Sequence, residues 1–137
     1  MKFIKHILVV ALAVFSITSC ESDKDESGPE IIINIPQQGR EYVYGDDVNI
    51  NFTMNDDNGI AVYKYVLSPV ETAGVKYTKE ESVTLTNYVT SLTTNEIIEL
   101  PFQYDTNTLY TDGAYELKIL AEDFENNVST KTIQLFI

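Results

Sequence analysis

Apolar and polar residues alternate with a period of two over several short stretches, and no long stretch of helical period interrupts them. In residues 47–55, Val48, Ile50, Phe52 and Met54 point one way and Asn49, Asn51, Thr53 and Asn55 the other. Successive side chains of a strand face opposite sides, so this pattern predicts a half-buried strand. Residues 114–122 repeat it with Tyr115, Leu117, Ile119 and Ala121 inward, and residues 128–137 close on Ile133, Leu135 and Ile137. Ile31 to Pro36 is a β-branched run stopped by proline, the mark of an edge strand that Glu41 to Tyr44 continues. Residues 60–68 set Tyr63, Tyr65 and Leu67 against Lys64 and Val66; apolar residues on both faces fit a strand covered on both sides or beside a partner. The Thr-rich runs Ser82–Leu92 and Asn95–Phe102 favour extended structure over helix. Polar turns fall at Gln37–Arg40, at Asp56-Asp57-Asn58-Gly59 and at Asp123–Asn127. Pro69–Glu81 reads as a loop with one short strand around Val75–Tyr77, and Tyr104–Thr111 as irregular. About seven short strands with turns between them give an all-β sandwich.

The stretch before residue 30 is of another kind. Lys2, Lys5 and His6 precede an apolar run from Ile7 to Ile17. That run is shorter than the about 20 residues needed to span a bilayer, and it fits the apolar region of an export signal. It leads into Ile17-Thr18-Ser19-Cys20, which contains the chain's one cysteine. This arrangement resembles a bacterial lipobox, although the usual pattern prefers Leu at the first place and Gly or Ala before the Cys. The resemblance implies cleavage before Cys20, lipidation of Cys20, and a membrane partner reached through that lipid. One acyl chain holds a protein weakly and two or more hold it firmly. A lone cysteine in an exported chain has no internal disulfide partner, and acylation accounts for it.

Residues 21–30, ESDKDESGPE, hold no large apolar side chain and read as a solvated linker, with Gly28-Pro29 at the domain boundary. Acids directly after the lipidated cysteine (Glu21, Asp23, Asp25 and Glu26, with Ser22) resemble the surface-export signals of lipoproteins in Bacteroides-like bacteria. The expected organisation is a signal at 1–19, a linker at 20–29 and one β-sandwich at 30–137. The resemblance places it in the cell envelope as a surface-exposed outer-membrane lipoprotein.

Within 30–137 the chain resembles the bacterial immunoglobulin-like and cadherin-like domains of surface proteins. The residues that carry the resemblance are Asp112-Gly113-Ala114-Tyr115-Glu116-Leu117, Ala121 to Asn127, and Asp57-Asn58-Gly59-Ile60. It implies a Greek-key, immunoglobulin-like β-sandwich, and it is specific to fold, not to function. Glu125 and Asn126 stand where that family often has glycine, and Asn tolerates positive φ better than most residues.

Charge and residue inventory narrow the function. Net charge is −12, and loss of Lys2 and Lys5 with the signal makes it about −14. Such a surface repels nucleic acid, which is excluded as a partner, and attracts cations. The single His lies in the signal, so the mature chain lacks imidazole and thiol chemistry, and no nucleophile–base pair is available. Paired acids could in principle serve glycoside hydrolysis, but the acids fall in turns and on polar faces; the reading is non-enzymatic.

In a sandwich of this topology, the turns after the second and sixth strands emerge at one end, near the N-terminus. That would gather Asp56, Asp57, Asn58, Glu122, Asp123, Glu125 and Asn127, with Glu30 close by. Calcium takes about six to eight oxygens from such groups, and the cadherin-like resemblance implies calcium at domain ends. Against it, there is no Asp-x-Asp-x-Asp loop, and solvated turns favour the same residues for their local hydrogen bonds. Nine tyrosines and no Trp complete the inventory. Tyr63, Tyr65 and Tyr115 read as core, with Tyr115 a candidate tyrosine corner. Tyr42, Tyr44, Tyr77, Tyr88, Tyr104 and Tyr110 sit in less regular places, either packed over loops or forming a contact surface for a protein or glycan. Three functions remain: an envelope binding or adhesion module, an accessory glycan-binding subunit of a polysaccharide-capture system, for which a Trp platform is missing, and a calcium-stabilised structural domain.

Overall fold

The computed structural model describes residues 27–137, and the expected export signal, Cys20 and most of the expected linker lie outside them. The described chain is all β. In order, the strands are β1 (Glu30–Ile35), β2 (Arg40–Glu41), β3 (Asp47–Asn55), β4 (Ile60–Pro69), β5 (Lys79–Thr84), β6 (Ser91–Glu99), β7 (Ala114–Asp123) and β8 (Val128–Phe136). They form two sheets, β1-β3-β6 and β2-β8-β7-β4-β5. Neighbours are antiparallel except β2, which pairs parallel to β8. This is an immunoglobulin-like β-sandwich.

The alternation read from the sequence is what closes it. Val48, Ile50, Phe52 and Met54 of β3 and Tyr115, Leu117, Ile119 and Ala121 of β7 are all buried, one set on the inner face of each sheet. Tyr63, Tyr65 and Leu67 of β4 join them, and Phe52 meets Tyr63 edge-on at 5.6 Å between ring centroids. Aromatic pairs in this arrangement add about 1 kcal/mol beyond their buried area. β4 lies inside its sheet between β7 and β5, and Val62 and Val66 on its outer face are half-buried. Among the described residues, the core runs from Ile31 to Ile137.

Three expectations need correction. Glu41–Tyr44 does not extend the first edge strand. After the turn at Gln37–Arg40 the chain crosses to the other sheet, where Arg40 and Glu41 pair with Leu135 and Phe136. Ser82–Leu92 is not one strand: β5 ends at Thr84, the chain passes between sheets, and β6 begins at Ser91. In that passage Leu85 N donates to Ala61 O at 2.8 Å and Asp56 N donates to Thr90 O at 2.9 Å, so β4 and the end of β3 hold it. Residues 75–77 form no strand, although Thr111 N donates to Val75 O at 2.7 Å.

Candidate functional site

The chain enters the sandwich at Glu30, opposite Asn55, beside the turn that follows β3. The β7–β8 turn lies at this same end, because Ile60 pairs with Asp123. The structure therefore brings Asp56, Asp57 and Asn58 near Asp123, Glu125 and Asn127, as the topology argument requires. It uses two of those acids to build turns. Asp56 Oδ1 accepts from Asn58 N at 2.7 Å, and Gly59 takes φ 78° to complete the loop. Asp123 is 1% exposed. Its Oδ1 accepts from Glu125 N and Asn127 N, each at 2.8 Å, and its Oδ2 from Asn127 Nδ2 at 2.8 Å. Asn126 sits at φ 68°, the left-handed position where the resemblance expects glycine.

A carboxylate that already accepts three N–H groups has little left for a cation. Among the described residues, no three of His, Cys, Asp and Glu are gathered as a metal would need. A shallow cleft of about 230 Å³ runs along this end, lined by Ser27, Gly28, Glu30, Asn55, Asp56 and Asp57. Tyr88 and Phe124 cap the end, stacked at 5.6 Å, with Tyr88 OH donating to Asp57 O at 2.6 Å.

The opposite end is different in kind. It holds the starts of β3 and β7, the end of β6 and the loops 42–46, 70–78 and 100–113. Tyr110 is its hub. Tyr44 stacks on it at 5.1 Å, and Tyr77 and Tyr104 meet it edge-on at 5.7 and 5.9 Å. Beneath lies a hydrogen-bond chain. Tyr77 N donates to Tyr115 OH at 3.1 Å, the Tyr115 and Tyr44 hydroxyls share a bond at 2.7 Å, and Tyr44 OH donates to Thr111 O at 3.3 Å. Burial, the neighbouring Tyr115 hydroxyl and nearby Asp112 hold the Tyr44 phenol well above its ordinary pKa, so it stays neutral.

Tyr115 is fully buried at the start of β7, but it is not a tyrosine corner. Its partner is an amide 38 residues upstream, in the β4–β5 loop, not a backbone group a few residues away. Lys76 fastens the same loop by donating to Thr111 O at 3.0 Å and Asp112 O at 2.7 Å.

On the outside of this end, Val43, Phe102, Tyr104 and Leu109 are 65%, 69%, 62% and 64% exposed, the most of any large apolar side chains described. Beside them, where the chain crosses from β1 to β2, opens a cleft of about 800 Å³. Its lining mixes the amides of Asn34, Gln37 and Asn49, the acids Glu41, Asp46 and Asp47, and Arg40, whose guanidinium lies 6.0 Å from the Tyr42 ring centre. The mixed donors, acceptors and one aromatic ring are the groups that orient a polar ligand. Sequence reading missed the cleft, since its residues come from strands and loops on both sheets. The clustering of Tyr and Phe in irregular stretches signalled the aromatic cluster around Tyr110, not the cleft, whose lining holds one aromatic ring, Tyr42.

No family model matches the chain, and no curated protein does. Among solved structures it is similar to fibronectin(III)-like modules of Clostridium thermocellum CbhA, at 19% identity and TM-score 0.47 over 78% of this chain and 93% of that one. It is also similar to a PKD domain of a peptidase from a Thermoplasmatales archaeon, at 18% identity and TM-score 0.46 over 81% and 93%. A third is a β-glucosidase from Listeria innocua, at 14% identity and TM-score 0.45, of which only 16% is covered. These likenesses concern fold alone.

Proposed function

We propose that the protein is a non-enzymatic binding module of the bacterial cell envelope, lipid-anchored to the outer membrane through Cys20, and that its ligand meets the end remote from the anchor. The observation that supports this is the position of the four most exposed large apolar side chains. All four lie at the end opposite Glu30, where the tethered chain enters. Exposed apolar groups clustered at one place mark contact surfaces, and Tyr and Phe supply large contact area at small entropic cost.

The test is binding of residues 21–137 to glycan arrays and to isolated envelope protein. Phe102→Ala, Tyr104→Ala and Leu109→Ala are combined in one variant, and Tyr88→Ala with Phe124→Ala serves as the control at the other end. Loss of binding in the first variant alone, with the melting temperature held, supports the reading. Equal binding by both removes it. A second reading, glycan capture, is favoured by the polar cleft. It requires a hit on a neutral oligosaccharide that Arg40→Ala and Asn49→Ala abolish, and a blank array discards it.

A further inference from the structure

A sandwich of two open sheets has four edges, and an unguarded edge pairs with other chains. Three are guarded here. β1 carries a bulge between Ile33 and Ile35 and stops at Pro36. β2 is two residues long. β5 is charged, with Lys79 paired to Glu81 at 2.9 Å and Glu80 paired to Lys64 of β4. The fourth edge, β6, is the least guarded, with Glu96 and Glu99 its two charges. It runs nine residues, Ser91–Glu99, in unbroken register with β3, and holds no lysine, proline or bulge. Among the described residues nothing pairs with its outer side.

We propose that this edge binds a second copy of the chain, β6 to β6, antiparallel about a two-fold axis at Asn95. The strand is complementary to itself in that register, the one that overlaps all nine residues. Asn95 then meets Asn95 of the partner, and Leu92 meets Ile98. Each glutamate meets a hydroxyl, Glu96 against Thr94 and Glu99 against Ser91, and Thr93 meets Ile97. No like charges oppose, which in a chain of net charge −12 is a specific property of this strand. Shifting the axis by one residue to Glu96 would set carboxylate against carboxylate.

The outer face adds a second reason. Asn34 Nδ2 donates to Asn51 Oδ1 at 2.7 Å, and Asn51 Nδ2 donates to Asn95 Oδ1 at 2.6 Å. This amide row crosses the sheet and ends at the β6 edge. Pairing at Asn95 continues it into the same row of the partner, so six amides form one ladder over six strands. Such ladders strengthen stacked sheets.

The experiment is sedimentation equilibrium of residues 21–137 from micromolar to millimolar concentration, at two salt levels. The expected result is a monomer–dimer equilibrium that tightens with salt, because screening relieves the repulsion of two acidic molecules. Asn95→Asp and Asn95→Lys each set like charges on the axis and weaken the dimer by about fivefold. An equimolar mixture of the two variants restores the parent dissociation constant, while each variant alone keeps the parent melting temperature at low concentration. A monomer at every concentration overturns the proposal. So does a dimer that both variants leave intact, or a mixture that fails to recover.

Discussion

Replacing Tyr115 with Phe removes one oxygen from the centre of the far end and nothing else. The ring stays in its place among Leu117, Leu67 and Leu135, so no cavity opens. What is lost is the acceptor of the Tyr77 amide and the hydroxyl partner of Tyr44. A neutral hydrogen bond contributes about 1 kcal/mol net, and a donor left without an acceptor costs about 1 kcal/mol or more. Tyr44 keeps Thr111 O as an acceptor, and Tyr77 is only half-buried, so water recovers part of the loss. The expected destabilisation is about 2 kcal/mol, which for a domain of this size lowers the melting temperature by about 8 °C. Urea unfolding at constant m-value measures the first number, and amide exchange at Tyr77 locates it. A loss below about 0.5 kcal/mol, or unchanged protection at Tyr77, would show that Tyr115 is a plain core residue and does not clamp the β4–β5 loop.

Asp123→Ala leaves two backbone amides and the Asn127 side chain without their acceptor; with the turn open to water, about 2–3 kcal/mol is expected in the same unfolding assay. Millimolar calcium against chelator is expected to leave the thermal midpoint unchanged, because Asp123 spends both oxygens on the turn. A rise lost in Asp57→Asn would show that these acids regroup around a cation. In alkali, burial raises the phenol pKa of Tyr42, Tyr44, Tyr63, Tyr65 and Tyr77 above the ordinary 10.0. The folded state then holds more of these protons than the unfolded one above about pH 10, so their contribution to stability is flat below that pH and falls as pH rises through it. Tyrosinate absorbance should show late, cooperative ionisation that coincides with unfolding. Simple titration of these five before unfolding would contradict it.

The period-two strands were legible because their alternation is unbroken and one face of each is core. β3 was delimited to its last residue by Val48, Ile50, Phe52 and Met54, and β7 and β8 nearly so. Ser82–Leu92 misled because Val83, Thr84, Leu85, Thr86, Tyr88, Val89 and Thr90 all favour extended backbone, and no glycine or proline marks where the chain leaves one sheet for the other. Only non-local bonds, such as Leu85 to Ala61, decide that break. β2 is set in the same way by the end of β8. At the end where the chain enters the sandwich, sequence set the two acidic turns side by side but could not show Asp123 turned inward. The β6 edge was invisible, because an edge is a property of neighbours and not of residues.

If Cys20 is acylated as proposed, antiparallel pairing at β6 has a consequence for the anchored molecules. The two strands run in opposite directions, so the two chains enter the pair from opposite ends. β6 is nine residues long, or about 30 Å. The stretch from Cys20 to Glu30 reaches at most about 35 Å when fully extended. Two molecules on one membrane can pair upright only if one tether is drawn out almost straight, at a cost of about 1 kcal/mol or more for each residue so fixed. Molecules on facing membranes pair with both tethers relaxed. The expected outcome is that vesicles carrying the acylated protein cluster, that Asn95→Asp disperses them, and that Asn95→Asp vesicles cluster with Asn95→Lys vesicles but not with their own kind. Vesicles that stay apart while the soluble domain dimerises would show that the pair lies flat within one surface, and the adhesive role would fall with that result.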